Sequence, residues 1–148
     1  ALGAGSQTLA FAEVFTALNN KTVDGQENTF NNIDTQNYQD VQKYMTVSNH
    51  GRLDYVVLTN TTFWNSLSPE NKQIIEEAMR EATLYERQLA EEENQKSFEK
   101  LKASGKMEIY TLTEEDRAKF VAAMQPVYDE YTDKIGREYI EAAKSCNK

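Results

Sequence analysis

The sequence predicts a helix-rich α/β fold built around one long helix. Residues 43–50, "KYMTVSNH", and residues 52–60, "RLDYVVLTN", are rich in the β-branched and aromatic residues that are typical of strands. The second run has consecutive apolar residues at 55–58, which predicts a strand buried on both faces of a sheet that helices cover. A helical pattern of unusual length then runs from residue 69 to residue 104.

The bulk composition is that of a globular protein. With 148 residues and 16.9 kDa, the chain is expected to form one domain with its own core. A hydrophobic content of 39% and a charged content of 27% exclude a membrane-spanning or wholly disordered chain. The formal charge is -8 and no Lys/Arg cluster forms a basic face, so we expect no nucleic-acid partner. The segment "ALGAGSQTLAF" lacks the basic region of a signal peptide, so we expect no uncleaved export signal there.

The elements before the first strand are predicted to be short. A first helix is indicated by apolar residues at helical spacing, which are Phe11, Val14, Phe15 and Leu18. Ser6 or Thr8 is its candidate cap, and the polar residues 19–21 end it. Residues 22–26, "TVDGQ", predict a short strand that enters a turn. Residues 28–42 predict short helices with Asn or Asp caps.

The long helix has clear boundaries in the sequence. Ser68 is its expected N-cap, Pro69 suits the first helical position and Gly105 ends it. An apolar stripe follows one face, at Ile75, Met79, Ala82, Tyr85 and Leu89. Residues 91–96 are polar all round, so we expect the far end of the helix to project or to bridge between lobes.

A third strand and further helices complete the predicted fold. Residues 107–112, "MEIYTL", predict the strand, and Thr113 with Asp116 resembles a capping box. The following helices are expected to break at Pro126. Four aromatic residues are expected to pack in the core or between lobes, namely Trp64, Tyr128, Tyr131 and Tyr139.

No catalytic, metal or cofactor site is predicted. Cys146 is the only cysteine and has no neighbouring His or Cys, which argues against a metal site. His50 is the only histidine, and no nucleophile or carboxylate motif accompanies it, so we interpret it as a hydrogen-bonded residue. The run Glu91, Glu92 and Glu93 is expected to be a solvated helix face.

Three segments occur together in a specific order and spacing. They are "FAEVFTALNNKTVDGQEN" (11–28), "YQDVQKYMTVSNH" (38–50) and "FWNSLSPENKQIIEEA" (63–78). In this order they resemble the solute-binding proteins of tripartite ATP-independent periplasmic (TRAP) transporters, the DctP-like family. The resemblance covers the whole chain but corresponds to only the C-terminal half of that family, and it implies part of a two-lobe fold that closes on a ligand.

The resemblance also implies how the chain is divided. Residues from about 1 to 50 would form a segment of the ligand-site lobe. Residues from about 51 to 68 would form a crossing strand and a short helix. The long inter-lobe helix would occupy about 69 to 104, and a strand with terminal helices about 105 to 148.

Asn28 is the central candidate for ligand binding. It matches the family's Asn that hydrogen-bonds a ligand carboxylate, and its amide donates without adding a charge. The alternative is an Asn that stabilises the turn after Asp24 and Gly25. The family usually has Pro after this Asn, where this chain has Thr29, and the loss of the ring is expected to loosen the turn.

Three further residues are candidates at the same site. The resemblance implies that the ring of Phe11 packs against the ligand, although the helical stripe equally predicts a core position. Glu27 could accept hydrogen bonds from ligand hydroxyl or amine groups, or it could be a solvated loop residue. Tyr55 lies near a further polar contact of the family, with Asp54 as its competitor.

The resemblance implies binding and transport without a cofactor. The ligand would be a small carboxylate, with a C4-dicarboxylate as the default, delivered to membrane permease subunits and driven by an ion gradient. The family's ligand-pairing arginine lies upstream of the segment that matches this chain. We therefore expect association with the missing N-terminal half or with a second copy of this chain. The location would be periplasmic, or extracytoplasmic and membrane-tethered in a Gram-positive bacterium.

Two other classes of function compete with this hypothesis. An enzyme would use Asp24, Glu27 and His50 as acid–base groups and would need perturbed pKa values. An acidic, helix-rich interaction module would expose an apolar stripe on the long helix between Ile74 and Leu89.

Overall fold

The computed structural model describes residues 2–146 and divides the chain into two compact units, where the length predicts one domain. The larger unit contains residues 10–45 and 49–109, and the smaller unit contains the residues before 10, residues 46–48 and those from 110 onward. In chain order the elements are a 3-10 helix Phe11–Glu13, α1 Val14–Asn19, α2 Phe30–Thr35, a 3-10 helix Tyr38–Asp40, β1 Tyr44–Val47, α3 Thr61–Ser66, α4 Pro69–Ser104, β2 Glu108–Thr111, α5 Glu114–Ile135 and α6 Arg137–Cys146.

The core of the larger unit forms where α2 packs against the C-terminal part of α4. The rings of Phe30 and Phe98 stack with 4.4 Å between their centroids. Ile33, Tyr38 and Leu101 of the same unit are buried. Burial of each such side chain contributes about 1.5–3 kcal/mol. The far end of the long helix is therefore packed on one face, where Asn94 and Ser97 meet α2, while the other polar residues between 91 and 96 are exposed.

The first part of α4 is the exposed part of the helix. The predicted apolar stripe is largely uncovered within the described residues, with Tyr85 69% exposed and Leu89 39% exposed. Only Ile75 is half-buried among the predicted stripe residues. The glutamates at 91–93 are exposed, as predicted. The distribution of burial along α4 is thus the reverse of the one that its apolar pattern predicts.

The predicted boundaries of α4 are confirmed. The Ser68 hydroxyl accepts a hydrogen bond from the Asn71 N–H at 3.2 Å, and Pro69 occupies the first helical turn. Gly105 ends the helix at φ 63°, a left-handed conformation that glycine adopts without a steric cost. The helix runs from residue 69 to residue 104, as the sequence predicts.

The predicted caps of the earlier helices are wrong. The first helical turn follows Ala10, and the Glu13 N–H closes it on the Ala10 carbonyl at 2.9 Å without a side-chain cap. Short helices do form between residues 28 and 42, but Thr29 rather than an Asn or Asp caps α2. Ser6 and Thr8 lie before Ala10, which is the N-cap position, and no side chain caps this turn.

Two of the predicted strands are present and pair in parallel. The Glu108 N–H donates to the Lys43 carbonyl at 2.8 Å, and the Leu112 N–H donates to the Val47 carbonyl at 3.2 Å. The register advances in the same direction on both strands, so β1 and β2 form a two-stranded parallel sheet.

The predicted strands at 52–60 and 22–26 are wrong. Residues 51–60 are extended but unpaired, and Leu58 is 84% exposed. A strand needs a neighbour for its backbone groups, and the described residues provide no third strand beside this run. Residues 22–26 instead follow α1 closely, because the Thr22 N–H donates to the Ala17 carbonyl at 2.8 Å.

The smaller unit consists mainly of α5 and α6, which pack against each other. Thr113 caps α5 by accepting from the Asp116 N–H at 3.2 Å, as predicted. Hydrogen bonds from Tyr110 and Thr113 lower the pKa of Asp116. The predicted break at Pro126 is wrong, since α5 continues through it and ends at Gly136 with φ 98°. A Cβ at Gly136 would lie 3.0 Å from side-chain atoms of Glu138 and Tyr139, so the turn requires glycine.

The aromatic residues predicted for the core are mostly at the surface. Tyr128, Tyr131 and Tyr139 are exposed, and Trp64 is half-buried. The Lys134 ammonium lies 5.2 Å from the ring centroid of Tyr131, and the Lys144 ammonium lies 5.3 Å from that of Tyr128. These rings lack a covering layer because α5 and α6 pack chiefly on each other.

Neither a membrane span nor a metal cluster is found between residues 2 and 146. No helix there is both long enough and apolar enough to cross a bilayer. No group of three His, Cys, Asp or Glu side chains in the same residues could hold a metal ion.

The contrast along α4 predicts unequal effects for two identical substitutions. Leu101 is 1% exposed and Leu84 is 64% exposed on the same helix. We expect Leu101→Ala to lower the free energy of unfolding by about 2–5 kcal/mol. Leu84→Ala should change it by less than about 0.5 kcal/mol. Urea unfolding followed by circular dichroism measures both, and equal effects would contradict the packing described for α4.

Candidate functional site

The candidate site is carried by the loop that connects α1 to α2. The loop turns back at the end of α1, where Lys21 has φ 58° and the Val23 N–H donates to the Ala17 carbonyl at 3.4 Å. It then leads directly to Glu27 and Asn28, which precede the N-cap residue Thr29. The position of Asn28 is therefore set by the ends of two helices.

The side chain of Asn28 is half-buried and is oriented by two donors. Its Oδ1 accepts from the Thr29 N–H at 3.2 Å and from the Asn32 side-chain amide. Its Nδ2 group donates to no acceptor within residues 2–146. Both interpretations of Asn28 are thus physically compatible, because the oxygen stabilises the start of α2 while the amide donors stay available.

Thr29 forms two hydrogen bonds at this turn, and the expectation that loss of the proline ring loosens it stays a prediction. Its hydroxyl accepts from the Asn32 N–H at 3.3 Å and caps α2. Its own N–H, which a proline would lack, donates to Asn28. The threonine therefore replaces the stiffness of a ring with two hydrogen bonds.

Glu27 and His50 are brought together by the structure. Glu27 Oε2 lies 3.5 Å from His50 Nε2, and the two side chains are 80% and 59% exposed. The interpretation of His50 as a hydrogen-bonding residue fits this contact. Glu27 directly precedes Asn28 in the chain, so this contact with His50 begins one residue before the candidate amide.

Phe11 and Tyr55 occupy different environments from Asn28. Phe11 begins the first helical turn and is 48% exposed, so its ring is not part of the core of the larger unit. Tyr55 is 84% exposed within the unpaired residues 51–60. Its competitor Asp54 pairs with Arg52 at 3.1 Å. The ligand-binding roles of Phe11, Glu27, Tyr55 and Asn28 stay predictions.

Polar contacts hold α2 in place against α4. The Asn31 N–H donates to Asn94 Oδ1 at 3.0 Å, and the Asn31 side-chain amide donates to Ser97 Oγ at 3.4 Å. Lys100 Nζ lies 2.8 Å from a carboxylate oxygen of Asp34, which is buried. The sequence interpretation missed these α4 residues, although positions 94, 97 and 101 share one helical face and could have indicated the contact.

A groove in the described part of the chain is formed by other residues than these. It has a volume of about 240 Å³ and is formed by residues of α5 and α6 such as Tyr128, Arg137 and Glu141. None of the four predicted ligand-binding residues lines it. Its lining is mainly polar and charged, so it is not the groove that the family resemblance implies for Asn28.

Comparison with known proteins gives consistent matches over most of the chain. The family model for bacterial extracellular solute-binding protein, family 7 (DctP), matches residues 1–134. The C4-dicarboxylate-binding periplasmic protein DctP of Rhodobacter capsulatus is 44% identical over 146 residues. That alignment covers 99% of this chain and 44% of the Rhodobacter protein.

Solved structures agree with the sequence matches. A TRAP periplasmic solute-binding protein from Shewanella oneidensis with bound succinate superposes with a TM-score of 0.86 at 38% identity. The superposition covers 92% of this chain and 45% of that one. A TRAP solute-binding protein from Pseudomonas aeruginosa with bound L-malate gives a TM-score of 0.82 at 35% identity, covering 88% and 45% of the two chains. This chain thus spans less than half of the length of each of these proteins.

The ion pair between α2 and α4 can be tested with two matched lysines. Lys100→Met would leave the buried carboxylate of Asp34 without its partner, whereas Lys96→Met removes a surface pair with Glu93. A hydrogen bond to a charged group contributes about 1.5–3 kcal/mol, and the 70% exposure of Lys100 places the expected loss at the lower end.

For Lys96→Met we expect a change in the free energy of unfolding of about 0–1 kcal/mol. Chemical denaturation of both variants measures the difference. An equal loss in the two variants would show that the pair does not hold α2 against α4.

Proposed function

The chain belongs to bacterial extracellular solute-binding protein family 7, the TRAP solute-binding family, and from that premise we propose that it captures a C4-dicarboxylate outside the cytoplasmic membrane. In this proposal it supplies the C-terminal portion of the binding protein, and Asn28 donates a hydrogen bond to a ligand carboxylate. The family consists of binding proteins rather than enzymes, which removes the enzyme hypothesis based on Asp24, Glu27 and His50.

The orientation of the Asn28 amide is the observation that carries the proposal. Its oxygen is already occupied by Thr29 and Asn32, whereas its nitrogen has no acceptor in the described part of the chain. An amide in this state can add only donors to a site. Carboxylate oxygens accept hydrogen bonds and do not donate them, so an organic anion is the ligand class that matches Asn28.

The ligand class is narrowed by the relatives. The Rhodobacter protein is named for C4-dicarboxylate binding, and the two solved structures hold succinate and L-malate. Succinate and malate share two carboxylates on a four-carbon chain. We therefore propose a C4-dicarboxylate as the ligand, with one carboxylate on Asn28 and the other held by residues beyond this chain.

Glu27 would shape how a dicarboxylate approaches. Its carboxylate repels an anionic ligand, but His50 lies 3.5 Å away and offsets that charge when protonated. Glu27 could also accept a hydrogen bond from a ligand hydroxyl, which malate has and succinate lacks. The ring of Phe11 would supply apolar contact area. In the proposed site, the hydroxyl of Tyr55 adds a polar contact once residues 51–60 are covered.

The proposed mechanism follows from the negative charge of the ligand carboxylate that the site must neutralise. A carboxylate held by one neutral amide is incompletely neutralised, so an arginine from the rest of the binding protein would complete the site. Closure of two lobes would bring that arginine to Asn28 and exclude water. The loaded protein would then deliver the ligand to membrane permease subunits, whose uptake is driven by an ion gradient. The binding protein itself would need neither ATP nor a cofactor.

The uncovered apolar surface supports association with further polypeptide. Residues 53–58 expose several large apolar side chains, and the stripe on α4 adds a second exposed area. The interaction-module hypothesis expects such a stripe. An exposed stripe is also expected of a chain that spans 44% of the Rhodobacter relative, because the rest of a two-lobe protein would cover that stripe. We favour this second explanation. In the isolated chain, a second copy of the chain would take the place of the remaining polypeptide.

Association can be measured by light scattering. We expect the average mass of the isolated chain to rise with concentration, because apolar residues 53–58 are exposed. Adding the portion of the Rhodobacter protein that this chain does not span should give a one-to-one complex. Val57→Asp should weaken both associations, whereas Lys134→Asp, an exposed substitution in the smaller unit, serves as a polar control. A single-chain mass at every concentration, with and without the added portion, would contradict the proposal.

Ligand binding tests the proposal directly. The chain is joined to the portion of the Shewanella protein that it does not span, and succinate binding is measured by calorimetry. We expect Asn28→Ala to weaken binding by about 1.5–3 kcal/mol, which is roughly 10–100-fold. Asn65→Ala, an exposed substitution on α3, is the control and should leave the affinity unchanged. Unaltered affinity in the Asn28 variant would exclude it from the site.

A further inference from the structure

The side chain of Asn32 has a position that stability alone does not explain. It is the third residue of α2, and its backbone N–H bonds the cap hydroxyl of Thr29 at 3.3 Å. In a capping box the third residue reaches back to the backbone N–H of the cap residue. Here that N–H is bonded by Asn28 Oδ1, and the Asn32 amide donates to the same oxygen.

We propose that Asn32 is a positioning residue that keeps the amide donors of Asn28 turned toward the ligand, an inference that rests on the proposed function. Rotation of the Asn28 amide by half a turn would exchange its oxygen and its nitrogen. The Thr29 N–H and the Asn32 amide would then both face an NH₂ group and lose their acceptor. The rotated amide would also present its oxygen to a carboxylate, which repels it.

The orientation of Asn32 is itself fixed by its neighbour. Asn31 is bonded to Asn94 and Ser97 of α4, which sets the rotation of α2 about its axis. The polarity of the Asn28 amide is thus determined by a chain of contacts that begins on α4. A ligand with only donor groups at this position would be rejected, so the contact with Asn32 selects acceptors over donors.

Asn32→Asp separates positioning from stability. An aspartate has nearly the same shape as asparagine, and acidic residues are favoured in the first turn of a helix. A purely structural role predicts a change in stability through the lost donor to Asn28 Oδ1, but no reversal of the Asn28 amide. A carboxylate at 32 can only accept, so it attracts the Asn28 NH₂ group and reverses the amide.

The experiment has two arms. In the first arm, the side-chain amide resonances of Asn28 are recorded by NMR on the isolated chain that carries Asn32→Asp. The pH is varied through the range in which the introduced aspartate titrates. We expect these resonances to shift with that titration, because a protonated carboxyl donates to Asn28 Oδ1 and an ionised one accepts from Nδ2. The wild-type chain, which carries Glu27 next to Asn28, gives the background shift, and the shift in Asn32→Asp should clearly exceed it.

In the second arm, succinate binding is measured on the completed protein, which is this chain joined to the portion of the Shewanella protein that it does not span. We expect Asn32→Asp to weaken binding roughly tenfold or more, and Asn32→Ala to weaken it less, because Thr29 still holds the oxygen. Thr35→Asp adds the same charge one turn further along α2 without touching Asn28, and it should have a smaller effect than Asn32→Asp.

The outcomes separate the inference from the function on which it rests. Static Asn28 resonances in Asn32→Asp, or equal affinities for Asn32→Asp and Thr35→Asp, would overturn the positioning role while leaving ligand capture intact. A wild-type completed protein that folds and does not bind succinate or L-malate would overturn the proposed function, whatever the resonances show.

Discussion

The packing of α2 against the C-terminal part of α4 is the constraint on which the candidate site depends. The stacked rings of Phe30 and Phe98 supply the apolar contact, and Asn31 and Asp34 make the polar ones. A six-residue helix is too short to be stable alone, so α2 exists because α4 supports it. Asn28 and Thr29 are placed by the start of that helix, and the chemistry of the loop follows from its packing.

In the proposed site, structure and ligand binding would use different atoms of Asn28. The oxygen bonds Thr29 and Asn32, and the nitrogen is left for an external acceptor. The Asn28 side chain would therefore be pre-organised, because ligand binding need not break a hydrogen bond within the protein. Thr29 contributes to this arrangement with an N–H group that the proline usual in the family cannot offer.

The sequence predicted the elements whose boundaries are set locally. Ser68, Pro69 and Gly105 defined α4, and Thr113 defined the start of α5, because caps depend on neighbouring residues alone. Residues 52–60 were predicted as a buried strand, and they are extended but unpaired, because a strand depends on partners that local sequence does not reveal. The contacts from Asn94 and Ser97 were missed for a similar reason, since polar residues at helical spacing resemble a solvated face until a second helix meets them.

The candidate site, too, could be predicted only in part from the sequence. The family resemblance made Asn28 a candidate, Glu27 became one through its hydrogen-bonding capacity, and the structure placed Glu27 beside His50. Neither the turn signal at Asp24 and Gly25 nor the motif itself indicated which way the Asn28 amide faces. That information comes from Asn32, four residues further along, and becomes visible only once α2 has formed.

The central claim is that the nitrogen of the Asn28 side chain donates to an organic acid. A crystal structure of the completed protein with succinate measures this most directly. The account predicts Nδ2 at about 2.7–3.2 Å from a carboxylate oxygen of succinate, with Oδ1 still bonded to the Thr29 N–H. A bound succinate whose carboxylates lie beyond hydrogen-bonding distance of Asn28 would contradict it.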